Sequence, residues 1–381
     1  MKKQLLLTNA RVVLKDEVIL GTVKVEEGVI AEVDQGVTSA LGVEDMEGDF
    51  LIPGLIELHT DNLEKHFTPR PKVRWPSIPA VIAHDAQVAA SGITTVFDAV
   101  ALGDVSDGSM RLQYVNEMIE AITMAQEEHA TRSEHFIHLR CEVAYEKVLE
   151  LFDPFKEHYL LRLVSVMDHS PGQRQFASLD KYREYYQGKY GLDDREIEAF
   201  IVKQKAASEQ YSAANREEIV DICHEHKIPL ASHDDATVEH VEESVGYGMS
   251  IAEFPTTHEA AVEARKGGLS VLMGAPNLVR GRSHSGNVSA RELAQEGLLD
   301  VISSDYFPTS LLQAAFTLFH DTDSFTLPEA VATVSAKPAN AVSLSDRGEI
   351  AVGKRGDLVR VHEYHRFPLV KEVWRQGRRI Y

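Results

Sequence analysis

His59 and Asp61 stand two residues apart, directly after the apolar run Phe50-Leu-Ile-Pro-Gly-Leu-Ile-Glu-Leu58. In a strand, side chains two apart share a face, so both project from the strand's C-terminal end. An imidazole and a carboxylate so placed can grip one divalent cation. A buried histidine bonded to a nearby acid is the competing reading. The position of the pair, after the short β patterns of residues 4–50 and before a long α/β region, favours a metal.

Four more strand ends carry the same chemistry. In His138-Leu-Arg-Cys-Glu142, the residues His138, Arg140 and Glu142 share a face, and Glu142 at the end could bridge two cations. A structural carboxylate paired with an arginine is the alternative. Met167-Asp-His-Ser-Pro-Gly172 offers His169 as a ligand, or an Asp168–His169 loop cap instead. Ala231-Ser-His-Asp-Asp235 offers His233, with Asp234 and Asp235 placed to fix its tautomer. Ser303-Ser-Asp305 ends in a carboxylate that could take a proton from the attacking water and pass it to the leaving group. The same aspartate could cap a following helix. His129, His135, His224, His226, His362 and His365 have no metal partner at useful spacing.

A second chemistry is anion binding. Met273 to Asn287 holds Asn277, Arg280, Arg282, Ser283, His284 and Asn287 among three glycines. Glycine lets backbone N–H groups approach a ligand, and arginine grips phosphate oxygens with a bidentate fork. His59 to Trp75 adds Lys65, His66, Arg70, Lys72 and Arg74. In an acidic chain these two basic stretches point to an anionic substrate, and Lys65, His66 and Arg140 are placed with it.

Such groups need a scaffold that brings strand ends together. Apolar strands at 51–59, 94–100, 135–143, 161–167, 229–233, 249–255, 269–273 and 301–304 alternate with helical patterns at 80–90, 110–127, 193–210, 216–226, 257–266, 290–295 and 309–319. That alternation predicts a TIM-type (β/α)8 barrel, an α/β fold whose reactive groups lie at strand C-termini and whose late loops bind phosphate. Residues 1–50 and 345–381 read as short strands, which suggests a small β-sandwich built from both termini, with the barrel spanning 51–344. The polar, Tyr-rich stretch 170–212 reads as an insertion, a helical lid.

The 381 residues carry a formal charge of −20, which argues against a nucleic-acid surface. Two cysteines give no disulfide framework and fit a reducing cytoplasm. The N-terminus lacks a leader pattern, and no stretch approaches the ~20 apolar residues of a membrane span. The expected partner is a small phosphorylated molecule, with neither nucleic acid nor membrane, and a homo-oligomer left open.

Pro53-Gly-Leu-Ile-Glu-Leu-His59, the terminal strands and the late Asp305 resemble the amidohydrolase superfamily. The chain departs from that pattern in having His59-x-Asp61 for a His-x-His pair, and no strand-end lysine suited to carbamylation. Within the superfamily, His59 to His66, His138 to Glu142, Met167 to Gln173, Ala231 to Asp235 and Gly274 to Asn287 resemble a branch serving the carbon–phosphorus lyase pathway. The resemblance implies hydrolysis of α-D-ribose 1-methylphosphonate 5-triphosphate to the 5-phosphate and pyrophosphate. It also implies two zinc ions, with manganese or another divalent ion as alternatives, on His59, Asp61, Glu142, His169 and His233. An amide or cyclic-amide hydrolase is the rival within enzymes, and a non-catalytic subunit of a phosphonate-degrading assembly is the rival outside them.

Overall fold

The computed structural model describes residues 4–70, 72–104, 110–174, 179–283 and 286–381. By compactness the chain divides into two units. One runs to Asp98 and takes up Glu120–Phe136 and Met273–Tyr381; the other holds Ala99–Ile119 and Ile137–Leu272.

The two ends of the chain build one mostly antiparallel sheet. Its order is Arg378–Arg379, Phe367–Arg375, Leu358–Tyr364, Phe50–Pro53, Gln4–Val13, Val18–Glu26 and Val29–Gln35, with Glu44–Asp45 set against Gln4–Val13. Alternate residues of these strands, including Leu7, Val12, Val23, Val25 and Leu51, pack with Leu358 and Trp374 in a core.

Eight further strands follow chain order in a second sheet: Leu55–Thr60, Ile93–Leu102, Glu134–Glu142, Leu161–Met167, Leu230–His233, Ile251–Glu253, Ser270–Gly274 and Val301–Ser303. They are barrel strands 1 to 8 below. A parallel bridge between Thr60 and Asp305 closes the sheet on itself, giving the expected (β/α)8 barrel. Burial on both faces explains the apolar runs: all 10 residues of strand 2 are buried.

The run 51–59, expected as one strand, is two. Phe50–Pro53 belongs to the terminal sheet and Leu55–Thr60 to the barrel. The chain changes sheets at Gly54, where a Cβ would lie 2.3 Å from Thr94 Oγ1 and 3.0 Å from Asp357 Cβ. Only glycine fits that approach.

The two basic stretches read as loops contain short helices, Asn62–Phe67 and Ala275–Arg280. Pro276 starts the second, and Gly281 in a left-handed conformation ends it. The insertion is helical, with Leu179–Tyr190 and Asp194–Ala207 followed by a π-helical turn, Ser208–Ser212, that runs into Ala213–His226. Its polar texture hides a small core in which Tyr182 and Tyr186, four residues apart, pack on Ile197 and Ile201. Asp193 and Glu196 form a capping box at the second helix. Among the described residues, no helix is long and apolar enough to cross a membrane.

Candidate metal and substrate site

In the first unit, strand 1 and the residue after it carry Glu57, His59 and Asp61 on one face. Glu57 is fully buried. Its Oε1 accepts from His59 N at 2.7 Å and Ser303 Oγ at 2.5 Å, and its Oε2 accepts from Ser304 N at 2.6 Å. Burial nonetheless pushes its carboxyl up to about 7. Asp305 N donates to His59 O at 3.1 Å, and Asp305 O accepts from Asp61 N at 3.1 Å and Thr60 Oγ1 at 2.8 Å. These bonds seat Asp305 beside His59 and Asp61, in a left-handed conformation with φ of 56° that few non-glycine residues adopt. Asp305 does not cap the next helix; Thr309 occupies that position before Ser310–Asp321.

Asp61 precedes helix Asn62–Phe67 yet makes no capping bond. Its Oδ1 is buried and has no hydrogen-bond partner among the described residues. Such an orphan costs about 1–3 kcal/mol, a cost that a bound cation would remove.

In the second unit, strands 3, 4 and 5 bring Glu142, His169 and His233 together. Glu142 Oε2 accepts from His169 Nδ1 at 2.6 Å, and Oε1 accepts from His169 N at 3.0 Å. The His169 and His233 rings meet edge to face with centroids 5.7 Å apart. Asp234 Oδ2 lies 3.7 Å from His169 Nε2 and 3.4 Å from His233 Nε2. His169, His233 and Asp234 thus form a group with metal-ligand geometry. Burial disfavours the charged His169 ring, but the Glu142 charge and the bonds to Asp234 and Glu142 prevail and raise it to about 9. Burial pulls His233 down to about 3, helped by the charge of Arg140 and opposed by Glu253. His233 is therefore neutral and able to ligate.

The tautomer of His233 is fixed differently from expectation. Its Nδ1 meets Glu253 Oε2 at 2.7 Å, at the end of strand 6. Asp235 instead pairs with buried Arg174, which also reaches Glu243 at 2.8 Å. Asp234 sits at φ 57°, which turns its carboxylate back toward the histidines. Gly103, after strand 2, has φ 96°, and a Cβ there would come within 2.9 Å of both Glu142 Cβ and Tyr145 Cβ. Arg140 has a buried Nε with no hydrogen-bond partner among the described residues.

The expected anion cradle is mixed. Arg280 and Arg282 are exposed, and Ser283 and Asn287 are half-buried. Asn277 holds the loop together, donating to Val288 O at 3.0 Å and accepting from Ala290 N at 3.2 Å. His284 lies outside the described residues. Lys65 bonds Tyr306 O and lies over the Tyr306 ring at 5.0 Å. Half-buried His66 turns to Gln87 at 3.1 Å.

A second histidine–carboxylate cluster, absent from the sequence reading, lies in the first unit. Asp98 Oδ1 meets His84 Nε2 at 2.7 Å and Asp98 Oδ2 meets His135 Nδ1 at 2.7 Å. His135 Nε2 faces Asp85 Oδ1 at 3.3 Å, and His84 Nδ1 faces Asn62 Nδ2 at 3.0 Å. Asp85 also accepts from Arg132 N, Ser133 N and Arg132 Nη1 at 2.8, 2.9 and 3.0 Å. His84, Asp85, Asp98 and His135 have no solvent exposure. Burial works against the charged His135 ring, but Asp98 and Asp85 raise it to about 9. Asp98, opposed by its own burial, is held well below the usual range by His135 and His84. The signal in the sequence was Asp98 itself, a carboxylate inside an apolar strand.

A profile of the Amidohydrolase family matches residues 85–381. The alpha-D-ribose 1-methylphosphonate 5-triphosphate diphosphatase of Escherichia coli strain K12 is 53% identical over 378 residues, covering 99% of this chain and all of that protein. Among solved structures, a 5-methylcytosine deaminase from Klebsiella pneumoniae liganded with phosphonocytosine superposes with a TM-score of 0.63 at 16% identity, covering 99% of this chain and 98% of that one. An N-acetylglucosamine-6-phosphate deacetylase from Pasteurella multocida gives 0.61 at 13% identity, with 99% of each chain covered. These two likenesses are of fold.

Proposed function

Because this chain belongs to the amidohydrolase family, we propose that it is a divalent-cation hydrolase that splits the triphosphate of α-D-ribose 1-methylphosphonate 5-triphosphate into the 5-phosphate and pyrophosphate. The observation that carries the substrate is the 53% identity, over essentially the whole chain, to a diphosphatase of that name. The strand-end histidines and carboxylates suit the chemistry, and the basic stretches at 65–74 and 280–282 suit the phosphates.

His59, Asp61, Glu142, His169 and His233 hold the cation or cations, two zinc ions being the best fit to this mix of imidazole and carboxylate, with manganese the alternative. Asp234 joins them as a further donor. When bound, such a cation lowers the pKa of water and neutralises phosphate oxygens. Asp305 accepts the proton of the attacking water and returns it to the leaving pyrophosphate. Arg140, Arg280 and Arg282 orient phosphate oxygens, together with Lys65, His66, Ser283, His284 and Asn287, while Asn277 shapes the loop that carries some of them. We read the barrel, expected over 51–344, as catalytic from Leu55 onward, since Phe50–Pro53 pairs with the terminal strands, and the two termini, 1–53 and 345–381, as the accessory domain. A cytoplasmic enzyme acting on a small phosphorylated sugar, alone or as a homo-oligomer, accords with the charge and the free, buried cysteines.

The test is product analysis on chelator-washed protein before and after zinc or manganese is returned. The reading expects metal-dependent release of pyrophosphate from a ribose 5-triphosphate. Turnover of a neutral cyclic amide, with none of the triphosphate, would select the amide-hydrolase reading. Metal-independent inertness toward both would select the non-catalytic one.

A further inference from the structure

A cavity of about 450 Å³ in the second unit has Glu142 in its lining, a residue only 3% exposed. Its volume lies within the range of small-molecule sites, about 300–1,000 Å³. Two cations line it from separate elements. Lys147 follows strand 3 and caps helix Val148–Phe152, and Lys203 lies on the insertion helix Asp194–Ala207. Tyr211, on the π-helical turn Ser208–Ser212, completes that wall. Such turns recur at functional sites because they shift one side chain out of helical register.

The walls are tied to the strand ends. Ser208 Oγ donates to Asp168 Oδ2 at 3.2 Å, next to His169. Asn215 Nδ2 donates to Val143 O at 2.9 Å and Tyr145 O at 3.2 Å. Insertion helix and strand-3 loop therefore keep a fixed relation to Glu142.

We infer that this cavity is a polyphosphate subsite, in which Lys147 and Lys203 hold the outer phosphates of a chain that reaches Glu142. The inference rests on the triphosphate reading and names residues beyond it. Two ammonium groups from separate elements suit a chain of phosphates better than a neutral amide. Asp104 and Glu146 also line the cavity and would repel a bare polyanion. A polyphosphate in neutral solution carries a divalent cation, and those carboxylates would take up its charge while the lysines take phosphate oxygens.

Inorganic tripolyphosphate is the probe, titrated by calorimetry into the metal-loaded full-length protein. Lys203→Gln and Lys147→Gln should each weaken its binding about tenfold or more, the loss of one charge-assisted contact. Lys203→Arg should restore most of the affinity. Lys205→Gln, two residues along the same helix and outside the cavity lining, should bind as wild type. In turnover, the two glutamine variants should raise KM for the triphosphate while kcat stays within about threefold. All these positions are exposed, so a melting curve matching wild type is expected throughout. Wild-type affinity for tripolyphosphate in both glutamine variants would overturn the subsite. Weakened binding in those variants, with no triphosphate turnover by the wild type, would support the subsite and reject the proposed reaction.

Discussion

Among the described residues, the histidine–carboxylate clusters around Asp98 and around Glu142 differ in whether their charges close. Around Asp98, two aspartates are matched by Arg132 and a charged His135, and both Asp98 oxygens and both His135 nitrogens have partners. Around Glu142, the three carboxylates Glu142, Asp234 and Glu253 face a charged His169 and a neutral His233, with the Arg140 charge also acting on His233. The first cluster needs nothing more. The second carries surplus negative charge at strand ends, which a dication would balance. Composition alone does not separate a structural clamp from a candidate metal site, whereas the charge balance distinguishes the two clusters.

The largest effects should follow from breaking the open cluster and its proton acceptor. Asp305→Asn keeps shape and backbone bonds but removes the base, so turnover should fall by roughly 10²–10⁴ while folding and metal content persist. Near-normal turnover in that variant would remove Asp305 from the chemistry.

The closed cluster should respond in the opposite way. Asp98→Asn leaves two buried histidines facing an amide, and a broken buried pair costs about 3–5 kcal/mol. Denaturant titration should show that loss, while the folded fraction keeps its metal content. A drop in metal with stability unchanged would mean the clusters have been assigned the wrong way round.

Next in size come the loop arginines. Arg280→Ala or Arg282→Ala should lower kcat/KM for the triphosphate by roughly ten- to a hundred-fold, the loss of one charge-assisted contact. A short uncharged substrate, if turned over, should be affected much less. Equal losses on both would make the loop structural.

The smallest effect is on the pH dependence of stability. His135 is raised to about 9, so its contribution is complete below the unfolded value of about 6.5 and fades as pH rises through 9. Asp98 is depressed, so its contribution is complete above about 4 and fades at lower pH. Chemical denaturation should therefore show this pair's support greatest between about pH 4 and 6.5, and His135→Gln should flatten the alkaline limb. An unchanged alkaline limb would show that His135 is not a buried cation.

The contrast between the clusters also explains what the sequence could reveal. Period-two alternation carries His59, Asp61 and Glu142 to strand ends, and His169, His233 and Asp305 follow short apolar runs, so their placement at strand ends was legible. Glu253 was not, because a three-residue strand gives too little periodicity to orient its last side chain. His84 and Asp85 were hidden in an apolar helix, and their partners lie 14 to 50 residues away, a pairing no local pattern encodes. The change of sheet at Gly54 was masked by continuous hydrophobicity on both sides. The insertion reads as polar because charged neighbours surround its tyrosines, yet Tyr182 and Tyr186 fill a core.

Whether the strand-end cluster around Glu142 holds the metal is decided by elemental analysis of stripped and zinc-reloaded protein. Wild type, His233→Ala and Asp98→Asn are measured together, with pyrophosphate release on the same samples. Wild type should take up zinc and gain activity, His233→Ala should do neither, and folded Asp98→Asn should retain its zinc. Full zinc content and normal turnover in His233→Ala would contradict that placement of the metal.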